Sequence, residues 1–270
     1  MTSRQDDRFI LTPRFLTQPL PDLDDLFPPH WVRNTPHVHG NDEIERLVSA
    51  YAPLTEIVHH TVQDGVRPVS IAGDCCSSLA VLAGLRVSGI EPTLIWLDAH
   101  GDFNTPETSP SGFLGGMPLA MLVGRGDQRL ARGVGLQPFA EERVIISDAR
   151  DLDPLERKAL ESSRVRHCRE LRELIDPVPT PGPLYVHLDT DVTSPSEVPA
   201  QNYPAPGGPG AAEVEEVFRA LAATGQIAAV SVSTWNPALD RDGRSRLTSM
   251  RLLGVLLGRE VPAGSPSHSS

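Results

Sequence analysis

Long apolar runs are missing from this chain of 270 residues: no stretch approaches the ~18 apolar positions of a membrane span, and the opening MTSRQDDRFI lacks the apolar core of a signal peptide. A cytoplasmic protein that makes no membrane contact is expected. Cysteine is scarce: the three present, Cys75, Cys76 and Cys168, are too few and too unevenly spaced for a disulfide framework, so reduced thiols are expected. Basic residues fall short of acidic ones, 24 against 35, and the formal charge of -11 argues against nucleic acid and anionic membranes as partners. Lys158 is the single lysine, which points to a GC-rich genome rather than to chemistry. What is present, 39% hydrophobic and 22% charged residues, is ordinary for a globular protein and excludes a disordered or fibrous one. The length suits one α/β domain over residues 1–270, with the Ser- and Pro-rich end at 261–270 expected to fray.

Short apolar segments alternate with helical patterns from end to end, the mark of a mainly parallel sheet with crossover helices. Strands are expected at 8–12, 68–73, 93–98, 143–147, 184–189 and 227–234, and helices at 41–60, 76–88, 117–124, 154–162, 211–223 and 245–258. The last helix spaces Leu247, Met250, Leu253 and Leu257 on one face, which should cover the sheet. The Pro- and Gly-rich segment at 194–210 reads as a loop over a cleft.

Ligands of open α/β sheets bind beyond the carboxyl ends of the strands. Polar clusters stand there: GDCCSS after 68–73, DAHGDFN after 93–98 and DTD after 184–189. Alternation should point Asp98, His100 and Asp102 to one side, and Asp189 and Asp191 likewise. Each aspartate alone reads equally well as a loop cap, and His100 alone as a packed core histidine. Four carboxylates crowded together repel one another, whereas two divalent ions would neutralise them, so the constellation points to a metal site.

The motifs Asp98-Ala99-His100-Gly101-Asp102, Phe103-Asn104, Ser111-Gly112 and Asp189-Thr190-Asp191 resemble those of the arginase or ureohydrolase family over about residues 65–258. That resemblance implies a three-layer α/β/α fold with a mainly parallel sheet and hydrolysis of a guanidino group at a centre of two Mn2+ ions. It implies that Asp98 and Asp189 bridge the metals and flank an activated water as nucleophile. His100 and Asp191 would bind one metal and Asp102 the other. The sixth ligand, a histidine in the family, falls on Cys75. A buried apolar cysteine is the competing reading, which suits Cys76 better; Cys75 lies at a strand-to-helix junction where helix start and cation both favour thiolate. By the same resemblance Asn104 and Ser111 hold a substrate carboxylate and Asp153 and Glu156 its α-amino group, although Asp151-Leu152-Asp153-Pro154 also reads as a helix cap.

Two further positions depart from arginases: Gly115 replaces a histidine credited with proton transfer, and Thr234 replaces a glutamate set against the guanidinium. Four carboxylates and a thiolate sum to -5 against +4, which weakens the metals as Lewis acids. A neutral N-hydroxyguanidine asks less of such a site, can hydrogen bond to Thr234 and brings its own proton. The expected substrate is therefore Nω-hydroxy-L-arginine, cleaved to L-ornithine and hydroxyurea, as in a branch of the family that supplies D-cycloserine biosynthesis. Arginine or another guanidino acid is the first alternative, agmatine being less suited because it has no carboxylate. A non-catalytic small-molecule binder is the second. The short C-terminal tail suggests a monomer. Of the remaining residues, His187 is in phase with Asp189 and either packs in the core or reaches the crevice. His59 and His60 fall on a polar helix end, the RVRHC segment before Cys168 resembles solvated surface, and Trp96 reads as core.

Overall fold

Six apolar segments separated by helical ones can bury both their faces only by lying side by side between helical layers, and they do so here. The structure, a computed structural model, describes residues 6–175, 182–233 and 235–263. In chain order its elements are β1 (Asp7–Thr12), β2 (Arg14–Phe15), β3 (Gln18–Pro19), α1 (Pro21–Leu26), β4 (Val32–Arg33), α2 (Glu43–Gln63), β5 (Arg67–Ala72), α3 (Ser77–Val87) and β6 (Thr93–His100). They continue with α4 (Pro118–Leu122), α5 (Arg129–Gly133), β7 (Val144–Asp151), α6 (Pro154–Glu161), β8 (Arg166–Cys168), β9 (Leu184–Asp189), α7 (Ala211–Ala223), β10 (Ile227–Ser233) and α8 (Arg244–Leu257).

Eight strands form one sheet in the order β4-β1-β5-β10-β9-β6-β7-β8, every neighbouring pair parallel, while β2 and β3 make a separate antiparallel ribbon. The six strands expected from the sequence are the six inner ones. The two edges, β4 and β8, are two and three residues long, too short to show any periodicity. Apolar residues of α2 to α6 pack one face of the sheet, among them Leu47, Leu54, Leu79, Leu119, Leu130 and Leu160. Those of α1, α7 and α8, such as Leu23, Val217 and Leu253, cover the other. The result is the three-layer α/β/α arrangement. Among the described residues no helix is long and apolar enough to cross a membrane.

Three expectations change. In α8, Met250, Leu253 and Leu257 are buried, but Leu247 is 54% exposed; Leu252 and Leu256 complete the buried stripe instead. Cys168 does not lie on solvated surface: the RVRHC segment adds edge strand β8, which turns Cys168 fully into the core. The helix expected at 117–124 is confined to Pro118–Leu122, after a 3-10 turn at Leu114–Gly116. Most of the 261–270 tail lies outside the described residues.

The junction between β5 and α3 is held by Asp74. Its buried carboxylate accepts from the Leu16 and Cys76 amides at 2.6 and 2.9 Å, and from the Tyr51 hydroxyl. Beside it a Cβ on Gly73 would stand 2.4 Å from the Arg14 carbonyl oxygen, so only glycine permits this approach. Asp74→Ala orphans three buried donors and is expected to cost about 2–4 kcal/mol in urea unfolding. Asp74→Asn, which keeps one acceptor, should cost less.

Candidate metal centre

Four adjacent strands, β5, β10, β9 and β6, end at one cavity of about 710 Å³. Cys75 lies in the turn after β5, Asp98 and His100 at the end of β6, Asp189 at the end of β9, and Asp191 in the 3-10 turn Thr190–Val192 that follows. Asp102 lines the same cavity, though not by the expected alternation. The β6–β7 ladder shifts register between Asp98 and His100, and Asp102 adopts a left-handed φ of 50°, uncommon for a residue with a side chain. In β7, Asp148, which pairs with Asp98, and its neighbour Ala149 also have positive φ, 73° and 47°. Backbone strain is thus gathered at the site.

The six residues expected to hold metal come together. His100 Nδ1 lies 3.1 Å from Asp191 Oδ2 and 3.3 Å from Asp98 Oδ1, and these three residues offer ligand atoms within 4.8 Å of one another. Cys75 Sγ is 3.1 Å from Asp189 Oδ2 and 3.7 Å from Asp98 Oδ2, and accepts from the Ser233 hydroxyl at 3.1 Å. The Asp191 amide donates to Asp189 at 2.9 Å and the His100 amide to Asp98 at 2.7 Å, which orients both carboxylates. Asp102 Oδ2 is buried without a hydrogen-bond partner.

Burial and mutual repulsion dominate the electrostatics. Burial, then Asp191, pushes Asp98 up to about 6. Asp102 and Asp189 rise well above the ordinary carboxylate range, through burial and through Asp98 and Asp191 nearby. Burial works against a charge on His100, but Asp191 and Asp98 beside it push it up to about 12. The helix start does not by itself make Cys75 a thiolate: burial, followed by Asp102, Asp189 and Asp98, drives its pKa well up. Protons stand in for missing positive charge at each of these groups. A carboxylate-rich pocket with an unpartnered oxygen, one imidazole and one thiol fits divalent cations, hard ones at the oxygens.

The expected substrate residues line the outer cavity. The Asn104 side-chain amide donates to Asp153 Oδ2 at 2.9 Å, and Ser111 stands exposed at the rim. Glu156 is buried and accepts from the Phe103 and Asp153 amides at 2.9 and 3.1 Å, which ties the loop after β6 to the start of α6. That carboxylate positions the pocket wall, and burial pushes it up to about 7. Asp153 caps α6, with Pro154 in its first turn, so cap and cavity wall coincide. Thr234 lies outside the described residues.

Sequence reasoning missed three contributors. Arg150 pairs with Asp148 and donates to the carbonyls of Asp191, Val192 and Ala205 at 3.0, 3.0 and 3.2 Å, pinning the turn that carries Asp191. Phe113 and Tyr203, ring centroids 5.2 Å apart, form an aromatic rim; the 194–210 loop, expected over a cleft, does reach over the cavity through Gln201 to Pro204. The Pro- and Gly-rich composition was the only signal for that loop. His187 packs in the core behind the cavity wall. It is fully buried and set at a 31° tilt against Trp96, centroids 3.8 Å apart, and it offers a ring nitrogen within 4.8 Å of ligand atoms on Cys75 and Asp98.

Fold and site together define an α/β enzyme whose strand ends group residues that could hold a metal. The profile described as "Arginase family" matches residues 25–258. An arginase of Bacillus subtilis (strain 168) is 30% identical over 243 residues, 84% of this chain and 82% of its own. The N(omega)-hydroxy-L-arginine amidinohydrolase of Streptomyces lavendulae is 28% identical over 265 residues, 97% of this chain and 89% of its own. A crystal structure of arginase from Bacillus subtilis superposes with a TM-score of 0.78 at 25% identity, covering 95% of this chain and 100% of that one. The chain belongs to the arginase family and is a hydrolase of the ureohydrolase class.

The raised groups set a pH dependence. Without metal, Asp98 keeps a proton from its ordinary 3.8 up to about 6, so the folded chain binds more protons than the unfolded one and stability falls as pH rises across that window. Bound cations displace the proton and should reverse the slope. Thermal melts near pH ~5 and ~6.5, with chelator and with saturating Mn2+, check this. A chelated protein that melts higher at the upper pH contradicts it.

Proposed function

We propose that the chain hydrolyses Nω-hydroxy-L-arginine to L-ornithine and hydroxyurea, with two Mn2+ ions held by Cys75, Asp98, Asp102 and Asp189 on one side and Asp98, His100, Asp189 and Asp191 on the other. Such ions, when bound, lower the pKa of a water and polarise the guanidino carbon. The carrying observation is the make-up of the cavity wall. Among its described residues His100, wedged between Asp98 and Asp191, is the single imidazole, and every charged side chain besides it is acidic.

The acidic outer wall suits an α-ammonium group, which Asp153 would hold while Asn104 and Ser111 take the α-carboxylate. At Gly115 no acid or base is available, and the space is used otherwise: a Cβ there would stand 2.3 Å from the Phe113 ring. The proton needed by the departing ornithine amine must then come from water or from the substrate. An N-hydroxyguanidine carries one, and being less basic than a guanidine it binds neutral, with no need for the glutamate that Thr234 replaces in the sequence. The Streptomyces lavendulae homologue, named for this substrate, supports the same reading. The Bacillus subtilis relatives are named arginases, so L-arginine is the comparison substrate.

On one manganese-loaded sample kcat/KM for hydroxyarginine should exceed that for L-arginine by ~10³-fold or more, the product of a missing acid catalyst and an unpaired cation. Gly115→His with Thr234→Glu should narrow the ratio. A ratio near one in the wild type overturns the substrate assignment. Asp153→Ala should raise KM by ~10-fold or more with metal content unchanged, because a buried charge loses its partner.

A further inference from the structure

We infer that His187, through Nε2, is a ligand of the ion on the Cys75 side of the centre, so that the imidazole missing at position 75 is supplied from the strand carrying Asp189. The inference rests on the two-ion reading proposed above.

Sheet register places the ring. His187 is directly opposite Ser231 in β10 and Trp96 in β6, two residues short of Asp189 and on the same face of β9. The Trp96 ring packs against the imidazole at 3.8 Å between centroids, tilted by 31°, and Nδ1 lies 2.7 Å from Ser231 Oγ. The imidazole therefore has one orientation, with a nitrogen within 4.8 Å of ligand atoms on both Cys75 and Asp98. Nε2 is fully buried and has no hydrogen-bond partner. A buried ring nitrogen left unpaired, on a ring that comes within 4.8 Å of a thiol and a carboxylate, is costly unless something binds there.

The direction of the hydrogen bonds identifies what that something is. The Ser78 carbonyl can only accept, so the Tyr185 hydroxyl, 3.3 Å away, donates to it. The Tyr185 oxygen lies 2.7 Å from Ser231 Oγ, and having spent its proton it accepts from Ser231. Ser231 has then spent its own proton and accepts from His187 Nδ1. One assignment satisfies all three contacts, and it puts the ring proton on Nδ1 and a lone pair on Nε2. A lone pair facing a carboxylate is repelled; a lone pair facing a cation that the carboxylate also binds is a ligand. A metal-bound histidine is usually held by a hydrogen bond from its other ring N–H, a part played here by the Ser231 hydroxyl as acceptor. A neutral imidazole also adds a donor without adding to the -5 of four carboxylates and a thiolate.

The test uses the full-length protein loaded with Co2+, each ligating imidazole of which yields one strongly shifted, exchangeable ring N–H proton in the NMR spectrum. Two such signals, split in 15N-histidine-labelled protein, are expected from the wild type. One comes from His100, which is partly exposed, and one exchanges slowly with deuterium because His187 Nδ1–H is buried. His187→Gln should lose the slow signal and weaken one of the two ions by at least ~10-fold while His100 keeps its signal. Two bound ions with a single histidine signal in the wild type overturn the assignment of His187 and leave the hydrolase reading standing, whether or not the variant folds. A wild type that binds no divalent ion overturns both. Retention of both ions in His187→Gln with affinity within ~3-fold of the wild type also overturns it.

Discussion

Mutual repulsion among buried carboxylates is the constraint on which this molecule turns. Asp98, Asp102, Asp189 and Asp191 come from two strand ends and their following turns; the first two and Asp191 are buried and Asp189 is half-buried. Nothing basic from the protein reaches the described cavity wall except His100. Protonation of Asp98, Asp102 and Asp189 relieves the repulsion in the absence of cations, and cations relieve it better, since each can bridge two carboxylates at once. The strained φ of Asp102 and the register shift beside Asp98 are part of the same arrangement: a regular ladder cannot aim three groups of one strand end at one point.

Much of the polar framework around the cavity keeps this crowd in place. Asp74 spends its carboxylate on the Leu16 and Cys76 amides and on Tyr51, which fixes the turn that presents Cys75. Arg150 spends its guanidinium on three carbonyls, which fixes the turn that presents Asp191. Glu156 spends both carboxylate oxygens on backbone amides, which fixes the loop after β6. Ligand geometry at a metal centre depends on such supports as much as on the ligands, because a buried group that is not held moves to satisfy itself.

The aromatic rim and the glycine at 115 bear on which substrate suits the centre. Phe113 takes up room that a side chain at 115 would need, and with Tyr203 it makes the mouth of the cavity apolar above an acidic wall. The proposed substrate, with an ammonium at one end and a neutral, weakly basic group at the other, would use both features.

The amino-acid sequence by itself determined the inner sheet and the identity of the acidic site. Strands buried on both faces must be largely apolar, as in IAAVSVS and LIWL, and charged residues grouped at the ends of such runs face the sheet's carboxyl edge. Only the tertiary structure decided the rest, because those features depend on contacts between residues far apart in the chain. The edge strands β4 and β8 exist through pairing rather than propensity, and that pairing is what buries Cys168. Leu247 is apolar yet exposed because α8 is rotated to bury Leu252 and Leu256 instead. Arg150 has no local signature as a support of the site, since the carbonyls it holds are 41 to 55 residues away. His187 could be placed on the right face of its strand by counting twos back from Asp189. That its ring packs against Trp96, is tied to Ser231, keeps a bare Nε2 and comes within 4.8 Å of Cys75 and Asp98 follows from how β6, β9 and β10 are registered, which no single segment encodes.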